Sequence, residues 1–107
     1  MAKYLIQAGY SQEGLKGFVK DGGTGRRTAV AAAVKSAGGK LDAFYFGFGK
    51  SDVYIIVDAP DNVSVAAFAL AVGAAGSASS FKTTVLLTPE EMDQAAKKVV
   101  KYRAPGH

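Results

Sequence analysis

Only a few residues of this 107-residue chain could carry out chemistry. There is no cysteine, and the one histidine is the final residue, His107, so a thiol nucleophile, a thiolate metal site and an internal imidazole base are all excluded. Asp52 is the remaining acid–base candidate, because it follows a glycine-containing turn among aromatic residues. An apolar setting would make it a usable general base, whereas the alternative is a turn aspartate that bonds nearby backbone N–H groups. Any catalysis is therefore assigned to Asp52, and no metal or cofactor is predicted.

A group of glycines and arginines could bind an anion. Gly22, Gly23 and Gly25 directly precede Arg26 and Arg27. Backbone N–H groups at the start of a helix and two guanidinium groups would converge there on a ligand such as a phosphate. The motif lacks the Lys-Ser/Thr of a P-loop and follows a helix instead of a strand. The alternative is a flexible break in a helix with solvated arginines.

Tyrosines could supply hydroxyl groups to an apolar pocket between a sheet and its helices. Packing in the core is the alternative for each of them. Lys20 would add a positive charge beside such a pocket. The predicted ligand-binding set is Tyr10, Lys20, Arg26, Arg27, Tyr45 and Tyr54.

The elements that position these residues begin with a strand over residues 3–10, where Tyr4, Ile6, Ala8 and Tyr10 share one face. Ser11 is the predicted N-cap of a helix. Residues 21–25 should form a loop or kink, because each glycine weakens a helix interior by about 1 kcal/mol relative to alanine. The helical pattern resumes at Arg26 and ends at Gly38-Gly39.

Residues 41–58 predict a β-hairpin, which we place at the centre of one sheet. Asp61 should cap a second helix that runs to about residue 75 and is apolar on every side. Residues 81–87 predict the last strand. Thr88, Pro89 and Glu91 then start a terminal helix with a capping box. Its apolar residues are expected to face inward: Met92, Ala95, Ala96 and Val99.

The element order β-α-β-β-α-β with a closing helix predicts a single ferredoxin-like α+β domain over residues 1–107. Both helices must then lie on one face of the sheet. Both faces of the hairpin are apolar, since Phe44 and Phe46 alternate with Tyr45, and Ile55 with Tyr54. The uncovered face predicts a second copy of the chain as partner, in a homodimer that packs sheet against sheet.

Charge and hydropathy limit the other partners. The net charge is +4, but the basic residues are scattered and no recognition motif accompanies them, so nucleic-acid binding is not expected. The longest apolar stretch, residues 63–75, is about half the length of a membrane span. No export signal is visible at the start. We therefore predict a cytoplasmic protein that does not bind membranes.

Motifs along nearly the whole chain resemble the GYD family of small bacterial proteins. They include Lys-Tyr-Leu-Ile-Gln at residues 3–7, Glu-Gly-Leu-Lys-Gly at 13–17, Lys-Asp-Gly-Gly at 20–23, Gly-Gly-Lys-Leu at 38–41 and the segments 44–46, 57–62 and 83–91. The family is named for a Gly-Tyr-Asp signature, and the corresponding turn here keeps Gly49 and Asp52 but has Ser51 in place of tyrosine. The resemblance implies kinship with dimeric α/β-barrel proteins, which include both enzymes and ligand binders.

Two classes of function stay open at this point. The first is a non-enzymatic module that binds a small or anionic ligand or assembles with itself. The second is a cofactor-free monooxygenase, isomerase or lyase that acts on a small aromatic or polyketide-like compound. An enclosed cavity with convergent polar groups would favour the enzyme, and a filled core would favour the module.

Overall fold

A computed structural model describes residues 1–107. The elements follow in the order β1 (Ala2–Tyr10), α1 (Gln12–Ser36), β2 (Lys40–Phe46), β3 (Val53–Ala59), α2 (Asn62–Ala74), β4 (Ala78–Leu86) and α3 (Pro89–Lys97). The strands form one antiparallel sheet in the order β2-β3-β1-β4. The predicted ferredoxin-like α+β fold with an added C-terminal helix is therefore confirmed.

The β2–β3 hairpin exists as predicted, but its place at the centre of the sheet is wrong. β2 is an edge strand, and β1 and β3 form the middle. No residue of β2 is fully buried, whereas every second residue of β3 is. The aromatic side chains of β2 contact one another and α1, as Phe46 does with Phe44 and Phe18.

The core lies between the two long helices and one face of the sheet, which we call the inner face. Its nine buried residues are Tyr4, Ile6, Val34, Val53, Ile55, Val57, Ala59, Val65 and Phe68. Val34 comes from α1, and Val65 and Phe68 come from α2, so both helices cover the same face, as expected. The hydroxyl of Tyr4 donates to Asn62 Oδ1 at 2.7 Å, which satisfies the one polar group of this core tyrosine.

The predicted loop or kink in α1 is a kink at a single residue. Gly22 has φ 76° and ψ 168°, a backbone conformation that is almost restricted to glycine, while helix continues on both sides of it. The neighbouring Gly23 lies against Phe46, because a Cβ atom there would be 3.1 Å from Phe46 Cε2. The kink therefore allows the backbone of α1 to approach the end of β2 closely.

All three predicted N-caps are confirmed. The Ser11 hydroxyl accepts from Gly14 N at 3.0 Å, and Asp61 Oδ1 accepts from Ser64 N at 2.9 Å. Thr88 and Glu91 exchange the two hydrogen bonds of a capping box. Local side-chain chemistry at these positions satisfies N–H groups that have no partner within their own helix.

The Asp61 cap should make the stability of the fold depend on pH. The Ser64 backbone N–H and hydroxyl hold the pKa of Asp61 below its usual value. A lowered pKa in the folded state stabilises the protein above the unfolded value of about 3.9, and this stabilisation is lost as the pH falls through the folded value. We expect Asp61→Asn to retain the cap and to lose less stability than the wild type between pH 7 and pH 3, as measured by urea unfolding. Equal losses in the two proteins would contradict this assignment.

The inward orientation predicted for the last helix is wrong. α3 has no buried residue, and Met92 and Val99 are 54% and 92% exposed. The chain measures 58 × 31 × 24 Å and its radius of gyration is 16.9 Å, whereas a compact domain of this size has about 13 Å. α3 does not pack into the core, so it extends from the sheet as an arm. None of the helices is long and apolar enough to cross a membrane.

Candidate functional site

A small cavity lies between the inner face of the sheet and the two long helices. Its volume is about 80 Å³, and it is partly open to solvent. Eleven of the fourteen residues around it are hydrophobic, and the set is Ile6, Ala8, Gly9, Tyr10, Arg26, Val30, Phe44, Val53, Ile55, Phe68, Val72, Ser77, Ala78 and Phe81. An apolar cavity with few polar groups is typical of a small-ligand site.

Arg26 is the one charged residue that lines this cavity. It lies one turn after the Gly22 kink in α1, and its side chain is 28% exposed. Its Nη1 atom is 3.3 Å from Asp21 Oδ2, on the other side of the kink. The remaining guanidinium N–H groups make no hydrogen bond within the protein, so they are free to bind an acceptor.

Tyr10 also lines the cavity, as predicted for a ligand-binding residue. Its ring packs on Phe18 with a centroid distance of 5.7 Å, and Phe18 contacts Phe46 at 5.0 Å. The rings join the first half of α1 to the ends of β1 and β2. Tyr10 is therefore held in position by aromatic packing and not by its hydroxyl group.

Asp52 does not line the cavity. Its Oδ2 atom accepts a hydrogen bond from Tyr10 N at 2.9 Å, and its own N–H donates to Ala8 O at 2.9 Å. Its carbonyl oxygen accepts from Gly47 N at 2.9 Å. The aspartate thus bonds backbone groups, as the alternative interpretation expected, but on β1 as well as in its own turn. Asp52 is therefore not one of the polar groups that line the cavity.

The hydrogen bond from Tyr10 N to Asp52 Oδ2 should stabilise the fold, and it needs only an oxygen atom as acceptor at this position. Asp52→Ala leaves the Tyr10 N–H without its acceptor, which we expect to lower the free energy of unfolding by about 1–3 kcal/mol. Asp52→Asn keeps an oxygen in the same position and should lose much less. Chemical denaturation of both variants measures the difference. Equal destabilisation by alanine and asparagine would show that the carboxylate charge, and not the acceptor, matters.

The other predicted ligand-binding residues do not meet at the cavity. Lys20 and Arg27 are exposed on α1. Tyr45 and Tyr54 face each other across β2 and β3, on the face of the sheet opposite the helices, and Tyr45 is 69% exposed. Of the six residues predicted, only Tyr10 and Arg26 are brought together.

Sequence reasoning missed the apolar residues that form most of the cavity wall. Val30 and Phe44 come from α1 and β2, and Phe68 and Val72 come from α2. The signal that could have found the α2 residues was the apolar character of that helix on every side. No pattern distinguishes a residue beside a cavity from one in a filled core, because both are apolar.

The opposite face of the sheet, which we call the outer face, has no helix over it. The register places Leu5, Tyr54 and Ile56 at its middle, together with Tyr45 on β2. Lys82 lies at its β4 side, next to Gln7. The alternation along the hairpin left open which side chains of β2 face outward, and the register places Phe44 and Phe46 on the inner face and Tyr45 on the outer face.

An ion-pair network borders the outer face at one end. Lys3 Nζ is 2.6 Å from Asp42 Oδ2 and 3.0 Å from Asp58 Oδ1. The hydrogen bond to Asp42 raises the pKa of Lys3, and the same bond lowers the pKa of Asp42. Both groups thus stay charged over a wider pH range than in isolation. No group of three or more His, Cys, Asp or Glu side chains converges as metal ligands.

The fold and the site define an α+β protein of the ferredoxin-like class, with a small apolar cavity on one face of the sheet and an uncovered opposite face. The GYD domain profile matches residues 4–96. The chain belongs to the GYD domain family, and the resemblance found in the sequence is confirmed.

Comparison with other proteins adds support for the fold. No curated protein matches the chain. The crystal structure of the Mycobacterium protein MtbAldR is similar, with a TM-score of 0.55 and 15% sequence identity. The likeness covers 97% of this chain, which spans 57% of the MtbAldR chain. At this identity the similarity is one of fold.

Proposed function

We propose that this protein is a non-enzymatic assembly module that forms a homodimer through the outer face of its sheet. The observation that carries the proposal is the accessible surface of the single chain, 7636 Å² at a mass of 11.1 kDa. A compact monomer of this mass exposes about 5,700 Å². The surplus of roughly 2,000 Å² exceeds what one partner usually buries in a stable interface, about 800 Å².

The outer face has the arrangement of an interface. Leu5 and Ile56 are neighbours at its middle, and Tyr45 and Tyr54 extend the apolar area toward the β2–β3 turn. Charged residues lie at the edges. An apolar centre with a polar rim, rich in tyrosine, is typical of surfaces that bind another protein. A second copy with the same face would pair with it in an isologous dimer.

α3 contributes to the surplus of accessible surface as well. A helix of nine residues is marginal in water by itself, since most helical stability in proteins comes from tertiary packing. Its apolar residues lie along one side and have nothing to pack against within the chain. A dimer would give this arm a neighbouring surface, which supports assembly in addition to the outer face.

The geometry supports the cofactor-free enzyme less well. Catalysis of an acid–base reaction needs a proton donor or acceptor within hydrogen-bonding reach of the substrate. The candidate base, Asp52, is bonded to Tyr10 N and lies outside the cavity lining. The cavity of about 80 Å³ is also smaller than the roughly 300–1,000 Å³ of typical ligand pockets. A ring-containing substrate could not be buried whole in it.

The oligomeric state in solution tests the proposal. Multi-angle light scattering after size-exclusion chromatography should give twice the mass of the single chain at micromolar concentration. Hydrogen exchange by mass spectrometry, compared at high and low protein concentration, should show added protection in β2 and β3 when the dimer forms. A monomer that persists at micromolar concentration would overturn the proposal.

A further inference from the structure

We propose that the cavity between the helices and the sheet binds a short aliphatic carboxylate, whose carboxylate group pairs with Arg26. This inference does not depend on the proposed dimer, because every residue that it uses belongs to one chain. Arg26 supplies the charge, and Val30, Phe44, Ile55 and Val72 supply the apolar wall.

Arg26 has hydrogen-bond donors that the protein does not use. A guanidinium group has five N–H donors in a planar fork, which matches the two oxygens of a carboxylate. Only Nη1 is engaged, at the long distance of 3.3 Å from Asp21 Oδ2. The side chain is nevertheless mostly buried, with 28% exposure. A partly desolvated cation with free donors beside an apolar cavity favours an anionic ligand.

The charges around the cavity favour a ligand with a single negative charge. Arg26 is the only cation in the lining, and it already has Asp21 beside it. A dianion such as phosphate would bring a second negative charge with nothing in the cavity to balance it. Asp21 is 44% exposed, so water screens its charge and leaves Arg26 able to pair with one further negative charge, and a carboxylate therefore fits this lining better. The ligand oxygens would occupy the donors that Asp21 leaves free.

The volume and the apolar wall of the cavity favour a short aliphatic chain. The cavity of about 80 Å³ is partly open to solvent, so its volume limits the part of a ligand that can be buried in it. An engineered apolar cavity of about 150 Å³ holds benzene, so a whole benzene ring could not be buried here. A linear or branched chain of about three carbon atoms matches the volume, and it would bury apolar surface against Val30, Ile55 and Val72. Butyrate has this shape.

The test uses butyrate as the probe and the full chain as the protein. Titration with butyrate, followed by methyl NMR, should shift the resonances of Val30, Ile55 and Val72. Butyramide has the same shape without the charge, and inorganic phosphate has charge without the apolar chain; both should bind at least about tenfold more weakly. Shifts caused equally by butyrate and butyramide would overturn the role of the charge.

Arg26→Gln should weaken butyrate binding about tenfold or more. The matched control is Arg27→Gln, because Arg27 is exposed, outside the lining and next in sequence. It removes the same charge from the chain and should leave the affinity unchanged. Equal weakening by both variants would show a general effect of net charge and would contradict the proposed site.

Val72→Phe tests the cavity without touching the charge. The ring should fill the space next to Ile55 and Phe68 and abolish the butyrate-dependent shifts, while the fold is checked by circular dichroism. Butyrate binding that survives a filled cavity would overturn the proposal. Light scattering on the same samples measures dimer formation separately, so failure of ligand binding and failure of assembly give different results.

Discussion

Replacing Gly14 with alanine should destabilise the protein by about 3 kcal/mol or more, because it overpacks a contact between two elements and breaks hydrogen bonds there. A Cβ atom on Gly14 would overlap the carbonyl oxygen of Ser77 and lie 3.0 Å from a ring carbon of Tyr10. The start of α1 is fixed to the loop between α2 and β4, since Ser11 N donates to Ser77 O at 3.0 Å and Ser11 Oγ donates to Gly76 O at 2.6 Å. The backbone must move to relieve the overlap, and these bonds would then be lost.

Thermal and urea unfolding of Gly14→Ala measures this effect, and a melting temperature lower by more than about 10 °C is expected. Gly17→Ala is the matched control. Gly17 lies in the same helix, with nothing within 4 Å of a Cβ atom placed there. Its substitution should stabilise the helix by up to about 1 kcal/mol. Similar melting temperatures for the two variants would show that the contact with Ser77 is not tight.

Ile56→Asp should dissociate the proposed dimer while leaving each chain folded. Ile56 lies on β3 at the middle of the outer face, between Leu5 on β1 and Ala43 on β2. A carboxylate there is solvated in the monomer, but it would be buried without a partner in the dimer, which costs several kcal/mol. We expect light scattering to give the mass of a single chain. Circular dichroism should show that secondary structure is retained.

Two control variants identify the surface that is responsible. Val63→Asp adds the same charge at an exposed position in the first turn of α2, where a negative charge is favourable, so it should leave the dimer intact. Met92→Asp places the charge on the arm formed by α3. Dissociation by Met92→Asp together with an intact Ile56→Asp dimer would move the interface from the outer face to α3. An intact dimer in all three variants would place it elsewhere.

Local sequence patterns predicted the helices, the strands and the caps well, because each of these patterns is set by residues only a few positions apart. The caps at Ser11, Asp61 and Thr88 each depend on a side chain and a backbone N–H three residues later. The kink at Gly22 follows from a backbone conformation that other residues rarely adopt. The element order then restricted the topology to few choices, of which the ferredoxin-like fold is one.

The candidate site was predicted less well, because it depends on register and on which strand lies at the edge. Tyr45 and Tyr54 alternate with core residues, and a shift of one residue decides which face a side chain occupies. The ladders place both tyrosines on the outer face, away from Arg26. The place of Asp52 depends on the turn folding back to Tyr10 N, forty-two residues away in sequence, which no local pattern encodes.

The sequence by itself determined the helices, the strands, their caps and the fold class, since hydrophobic period and capping chemistry are local properties. The tertiary structure alone decided that β1 and β3 are central, that the cavity contains Arg26 and Tyr10 but not Asp52, and that α3 has no partner within the chain. The amphipathic pattern of α3 predicts that one side needs an apolar neighbour, but it does not specify which one. Only the tertiary structure shows that α3 does not find this neighbour in the core of its own chain, because none of its residues is buried there.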